Sequence, residues 1–134
     1  MQALHGLALD PIAASRADPT SYGFRRERST ADAIGQSWST LAKRDSPAGV
    51  LEGDMAACCD RISHAWLWPH VPMDTRLLTS GLKAGSIART TFHATEEGTP
   101  HGGIISPTLC TMTLDGLEAV LKARFKRCKV NLIR

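Results

Sequence analysis

Asp54 closes the segment Val50-Leu51-Glu52-Gly53-Asp54-Met55, which reads as a short strand whose alternation puts Val50, Glu52 and Asp54 on one face. An acid at a strand end is expensive to bury without a partner or a metal, so Asp54 is the first candidate for chemistry. An ordinary strand-end acid is the plain alternative. The stretch Glu96-Glu97-Gly98-Thr99-Pro100-His101-Gly102-Gly103 is the second candidate. It is too rich in Gly and Pro for a regular element, and its glycines let backbone come close to a ligand. A tight turn ahead of the next helix would need the same residues. Positive charge is the third signal: Arg25, Arg26 and Arg28 stand beside Tyr22 and Phe24. Lys122, Arg124, Lys126, Arg127, Lys129 and Arg134 form an acid-free run. Such clusters neutralise phosphates, and they equally form the solvated faces of a loop and a helix.

Cysteine supplies a fourth possibility. Cys58 and Cys59 are adjacent, and His64, His70, Cys110 and Cys128 follow. None of these pairs has the spacing with which one turn presents two zinc ligands. With no secretory signal behind Met1, reduced thiols are the expected state and cytoplasm the expected compartment.

Several elements must position these groups. Leu4, Leu7, Ala8 and Ile12 recur at helical spacing, with Asp10-Pro11 either kinking that helix or capping a new turn. Ser29-Thr30-Ala31-Asp32 sets an N-cap hydroxyl three residues before a carboxylate, predicting a helix over 29–43 with Ile34, Trp38 and Leu41 on one face. A helix over 73–83, ended by Gly85, and a strand over 86–92 come next. Ser106-Pro107 reads as an N-cap and first-turn proline. Cys110, Leu114, Leu117 and Leu121 then mark one helix reaching Arg124. Val130, Leu132 and Ile133 begin a last strand.

With 134 residues, 43% of them hydrophobic and 22% charged, the chain has the composition of one globular domain. No apolar run approaches a membrane span. Neither a Gly-x-Ser-x-Gly elbow nor a Walker loop is present, so hydrolase and nucleotide-switch readings gain no support.

Three segments in order resemble consecutive blocks of the reverse transcriptase encoded by group II introns. They are Ser21-Tyr22-Gly23-Phe24-Arg25 through Thr30; Leu51-Glu52-Gly53-Asp54 through Cys58-Cys59-Asp60-Arg61-Ile62-Ser63-His64; and Glu97-Gly98-Thr99-Pro100-His101-Gly102-Gly103-Ile104-Ile105-Ser106-Pro107. Pro72-Met73-Asp74, Leu82-Lys83-Ala84-Gly85 and Leu114-Asp115-Gly116-Leu117-Glu118 add to the likeness. The resemblance implies an α+β fold, a partial right-hand polymerase with residues 1–47 fingers-like and 48–134 palm-like, truncated before the second catalytic strand. It implies Asp54 as the first catalytic, metal-binding aspartate and the Met55 carbonyl as a backbone ligand, with Mg2+ as cofactor. Adding a nucleotide requires two divalent ions, and hard cations take carboxylate oxygens. Asp60 would fix the turn. Cys59, His101, Gly102 and Gly103 would meet nucleotide or template. The segment of Arg25, Arg26 and Arg28 would meet RNA, where rings and guanidinium groups suit stacking and phosphate contact. The other use of that segment is structural, with Tyr22 and Phe24 as anchors and the arginines holding the loop.

The match departs from the family at several places. The family usually has an aromatic residue where Cys59 stands, a glutamine where His101 stands and a lysine where Ala56 stands. Its final strand runs on into Tyr-Ala-Asp-Asp, which would complete the metal site, whereas this sequence closes at Arg134. The leading expectation is therefore part of an RNA-directed DNA polymerase, inactive alone, whose partners in complete form are RNA, primer and deoxynucleotide. Self-association through an exposed palm edge at 130–133 would accompany it. An RNA-binding remnant without catalysis and a product without function are the other two readings.

Overall fold

A computed structural model describes residues 2–88, 90–100 and 102–134. Helix α1 (Gln2–Arg16) runs through Pro11 without starting a new element. Pro11 forfeits one backbone donor, and the helix keeps its course because Leu9 and Ala13 are buried on its inner face. Helix α2 (Thr30–Leu41) starts where the Ser29 cap predicts: Ser29 Oγ accepts from the Asp32 amide at 3.3 Å, and the Asp32 carboxylate accepts from the Ser29 amide at 2.7 Å. No residue of α2 is buried.

The expected strand over 50–55 does not form. The segment is exposed, has no regular structure and pairs with no strand among the described residues, with Leu51 96% exposed. Alternating residues make a strand only where a neighbouring backbone completes the hydrogen-bond ladder. The chain then turns tightly, with Ala57 at φ 54, into a single 3-10 turn (Cys59–Arg61).

Helix α3 (His64–His70) follows at once, capped by the Ser63 hydroxyl. Helix α4 (Thr75–Leu82) is capped by Asp74, whose carboxylate accepts from the Arg76 and Leu77 amides at 2.8 and 3.2 Å. The stretch expected as one strand is instead a hairpin. Strand β1 (Ser86–Ala88) pairs antiparallel with β2 (Thr91–His93) in the register Ser86 to His93, Ile87 to Phe92 and Ala88 to Thr91.

The last helix is split in two. Helix α5 (Ser106–Leu114) and α6 (Leu117–Arg124) are separated at Gly116, whose φ of 85 lies in the left-handed region and breaks the helical ladder. The Gly116 amide is tied to Asp18 Oδ2 at 3.1 Å, which anchors the break to the end of α1. Ser106 is not the cap either. Ile105 holds that position, and the Ser106 hydroxyl donates to the Pro100 carbonyl at 3.2 Å.

The core gathers around α5. Leu109 of α5 and Leu67 of α3 are completely buried, joined by Leu9, Ala13, Ile62, Val71, Leu78, Leu82, Ile105, Cys110 and Met112. Burying side chains of this size contributes roughly 1.5–3 kcal/mol each. The strand expected at 130–133 does not form as such, and Leu132 and Ile133 are half-buried. Arg134 alone pairs: its amide donates to the Thr20 carbonyl, and its carbonyl accepts from the Tyr22 amide. The two bonds straddle Ser21 in the pattern of a parallel bridge. The Arg134 guanidinium also reaches Asp115 and Asp18, closing a half-buried ionic cluster between α1, the α5–α6 break and the final segment.

Candidate functional site

Two of the motif blocks lie against each other. The Gly98 amide donates to the Ile62 carbonyl at 2.9 Å, and the Thr99 amide donates to the Cys59 carbonyl at 2.8 Å. The His64 Nε2 lies 2.6 Å from the Gly98 carbonyl oxygen. A carbonyl can only accept, so the Nε2 of His64 carries a proton in this pairing. Gly98, Thr99 and Pro100 are buried, which is unusual for a loop and is permitted because these bonds satisfy its backbone.

The glycines divide their work. Gly98 has a φ of 74, and a Cβ there would sit closer than 3.0 Å to the Asp60 backbone. The close approach that its missing side chain allows is thus to its own chain. Gly102 has a φ of 75 and open space around it, and Gly103 donates its amide to the Pro100 carbonyl at 3.0 Å. Gly102 is the loop glycine that faces solvent and could come close to a ligand. His101 lies outside the described residues.

Asp54 and Met55 stand on the exposed segment leading into this assembly. Among the described residues, no three carboxylate, imidazole or thiol groups are placed to hold a metal ion together. Asp54 and the Met55 carbonyl therefore offer part of a coordination shell, short of the several carboxylates that a pair of divalent ions needs. These residues alone do not fit a complete two-ion centre.

Cys59 is half-buried against the core, as is Cys58. Their thiols meet that of Cys110 on α5, with Cys58 Sγ 3.3 Å from Cys110 Sγ. Burial, and then hydrogen bonding with Cys58 and Cys59, pushes the Cys110 thiol far above its ordinary 9.0, so it stays protonated. Spacing alone does not reveal this grouping, because Cys110 is brought in by helix packing.

The three arginines each have a partner within the chain. Arg25 donates to the carbonyls of Ala14, Asp18 and Ser21 at 2.9, 3.2 and 3.2 Å, closing the end of α1. Arg26 pairs with Asp10 at 2.6 Å while its side chain stays largely exposed. Arg28 lies over the Tyr22 ring, 5.2 Å from its centroid. Phe24 is exposed and does not anchor the core.

Among the described residues no helix is long and apolar enough to cross a membrane. The family model for reverse transcriptase (RNA-dependent DNA polymerase) matches residues 1–134. The chain is 35% identical over 127 residues to protein YkfC of Escherichia coli strain K12, covering 89% of this chain and 33% of that protein. It is 32% identical over 120 residues to the group II intron-encoded protein LtrA of Lactococcus lactis subsp. cremoris, covering 82% of this chain and 19% of LtrA. The chain thus spans about a third and a fifth of the lengths of these relatives. Matched from end to end by the family model and similar to a group II intron-encoded protein, the chain belongs to the reverse transcriptase (RNA-dependent DNA polymerase) family, in its group II intron branch.

Proposed function

We propose that the chain forms the fingers and palm part of an RNA-directed DNA polymerase, with residues 1–47 on the fingers side and 48–134 on the palm side. The observation that carries this reading is the clamp of the Gly98–Thr99 backbone onto Cys59 and Ile62, which sets the loop bearing Gly102 and Gly103 beside the turn that follows Asp54. In this reading Asp54 and the Met55 carbonyl contribute ligands for Mg2+, which would activate the primer hydroxyl and hold the triphosphate. Cys59, His101, Gly102 and Gly103 line the place of nucleotide and template. A thiol at Cys59 is smaller than an aromatic ring and would discriminate less between sugars. Of the three arginines, Arg26 and Arg28 keep exposed side chains that can approach RNA phosphates, since Arg25 is committed to three carbonyls.

By itself the chain does not polymerise. Two divalent ions in contact distance of one substrate repel each other, and one carboxylate at Asp54 leaves that repulsion uncompensated. Self-association belongs to the same reading. Its support lies in the segment 50–55, which is unpaired among the described residues and exposes Val50 and Leu51, more than in the half-buried Val130, Leu132 and Ile133. Primer extension on an RNA template with magnesium or manganese tests the proposal, with Asp54→Ala as control. No extension is expected from either chain. Template-dependent extension that the control abolishes would overturn the claim of inactivity.

An RNA-binding role without catalysis is favoured by the exposed run Lys122–Lys129. It predicts binding to structured RNA that weakens steeply with salt. Sequence-selective binding indifferent to salt would contradict it.

A further inference from the structure

We infer that Cys58 and Cys110 form a reversible disulfide, a covalent lock between the turn that follows Asp54 and helix α5. The two sulfurs lie 3.3 Å apart although 52 positions separate them in sequence, and both thiols are free. The contact is built by packing: Cys110 is buried on α5, which packs against the 3-10 turn, and Cys58 directly precedes that turn. Closing the remaining gap to a covalent S–S length of about 2.05 Å asks for a shift of little more than an ångström, shared between a short turn and a side-chain rotation.

The chemistry divides between the two sulfurs. Cys58 is partly exposed and meets the oxidant first, whereas Cys110 is shielded and held protonated by its surroundings. With a small-molecule disulfide such as oxidised glutathione, the Cys58 sulfur attacks one sulfur of the reagent and expels the other as a thiol. Capping Cys58 removes its hydrogen bond to Cys110, and the Cys110 thiol yields its proton to water as its sulfur attacks the Cys58 sulfur and expels the second glutathione, which takes up a proton and leaves as a thiol. The two protein thiols lose two electrons and two protons, and the reagent is reduced to two thiols. Two other links compete. A bond between Cys58 and its neighbour Cys59 closes a small ring through a peptide unit that resists distortion. Cys59 also hydrogen-bonds Cys110, but its carbonyl is fixed by the Thr99 amide, which restrains its movement toward α5.

The test uses the full chain carrying Cys128→Ser, which removes the exposed thiol able to cross-link two molecules. The protein is oxidised with glutathione disulfide, alkylated and mapped as peptides without reduction. The expected result is one linked pair, Cys58 with Cys110, with Cys59 alkylated. Because the link closes a long loop in the unfolded chain, Tm should rise by roughly 5 °C or more and return with dithiothreitol. Cys110→Ala should lose both the linked peptide and the shift. Cys58→Ser, which leaves α5 intact, should lose them as well. A link through Cys59, a glutathione adduct that stays on Cys58, or full alkylation of Cys58, Cys59 and Cys110 after oxidation would each overturn the assignment.

Discussion

The Nε2 of His64 lies 2.6 Å from the Gly98 carbonyl oxygen, joining residues 34 positions apart where the end of one motif block is clamped to the start of the other. Both residues are buried, so water cannot replace the bond. His64→Ala should cost about 1–3 kcal/mol, the range for leaving a buried acceptor unmet. His64→Gln retains a donor and should recover part of that loss, as read by denaturant unfolding. Equal losses in the two variants would show that ring packing, not the hydrogen bond, holds the blocks together.

Gly98→Ala is expected to be worse. It combines a left-handed backbone, which costs an ordinary residue roughly 1–2 kcal/mol, with a Cβ pressed into the Asp60 backbone. Unfolding free energy should fall by at least about 2 kcal/mol. The equivalent change at Gly102, where the added carbon meets open space, should cost only the backbone term. Measuring both in urea separates contact from conformation.

Arg134 tests the ionic cluster. Its side chain is 14% exposed, and those of Asp18 and Asp115 are each 16% exposed. Arg134→Met would strand two carboxylates beside each other, and the expected loss is roughly 3–5 kcal/mol. Adding Asp115→Asn should return part of it by removing one of the two stranded charges. A double variant as unstable as the single one would show that the Arg134 backbone bridge to Thr20 and Tyr22, rather than the charges, holds the final segment.

Asp32 gives α2 a pH dependence. Hydrogen bonds from the Ser29 side chain and then the Ser29 backbone hold its carboxyl below the usual 3.8. A group whose pKa is depressed on folding stabilises above its unfolded value, and that contribution is lost as pH falls through the folded one. Helical signal from α2 should therefore be full above about pH 4 and fade on further acidification. Asp32→Asn should remove the dependence. Circular dichroism over an acid titration follows it.

How far the fold could be read in advance depended on how local the cause was. The capping box of Ser29 and Asp32 is complete within four residues, so the start of α2 was legible. The cap of α3 by Ser63 was equally local, but the short run His64–His70 with an internal proline obscured it. The segment 50–55 carries the alternation of a strand, yet pairing is a property of two segments and no sequence window contains it. The break at Gly116 failed for the same reason: leucines at helical spacing run across it, while Asp18, 98 positions away, holds the turn. At the candidate site, the motif blocks were visible as residues. Their mutual contact was not, and neither was the commitment of Arg25 to the carbonyls of α1.

Helix α2 sends no side chain into the core, and Trp38 is 77% exposed on it. Its 12 residues are thus held by end caps and by the chain on either side, a length at which an isolated helix is marginal in water. Opening it exposes almost no new apolar surface, so denaturant hardly drives that step and global melting does not report it. Its amides should exchange with solvent deuterium through a local event long before those of α5, and a protease should nick the chain there while the rest stays folded. The molecule therefore has two stabilities: one for the packed body and a smaller, separate one for this arm.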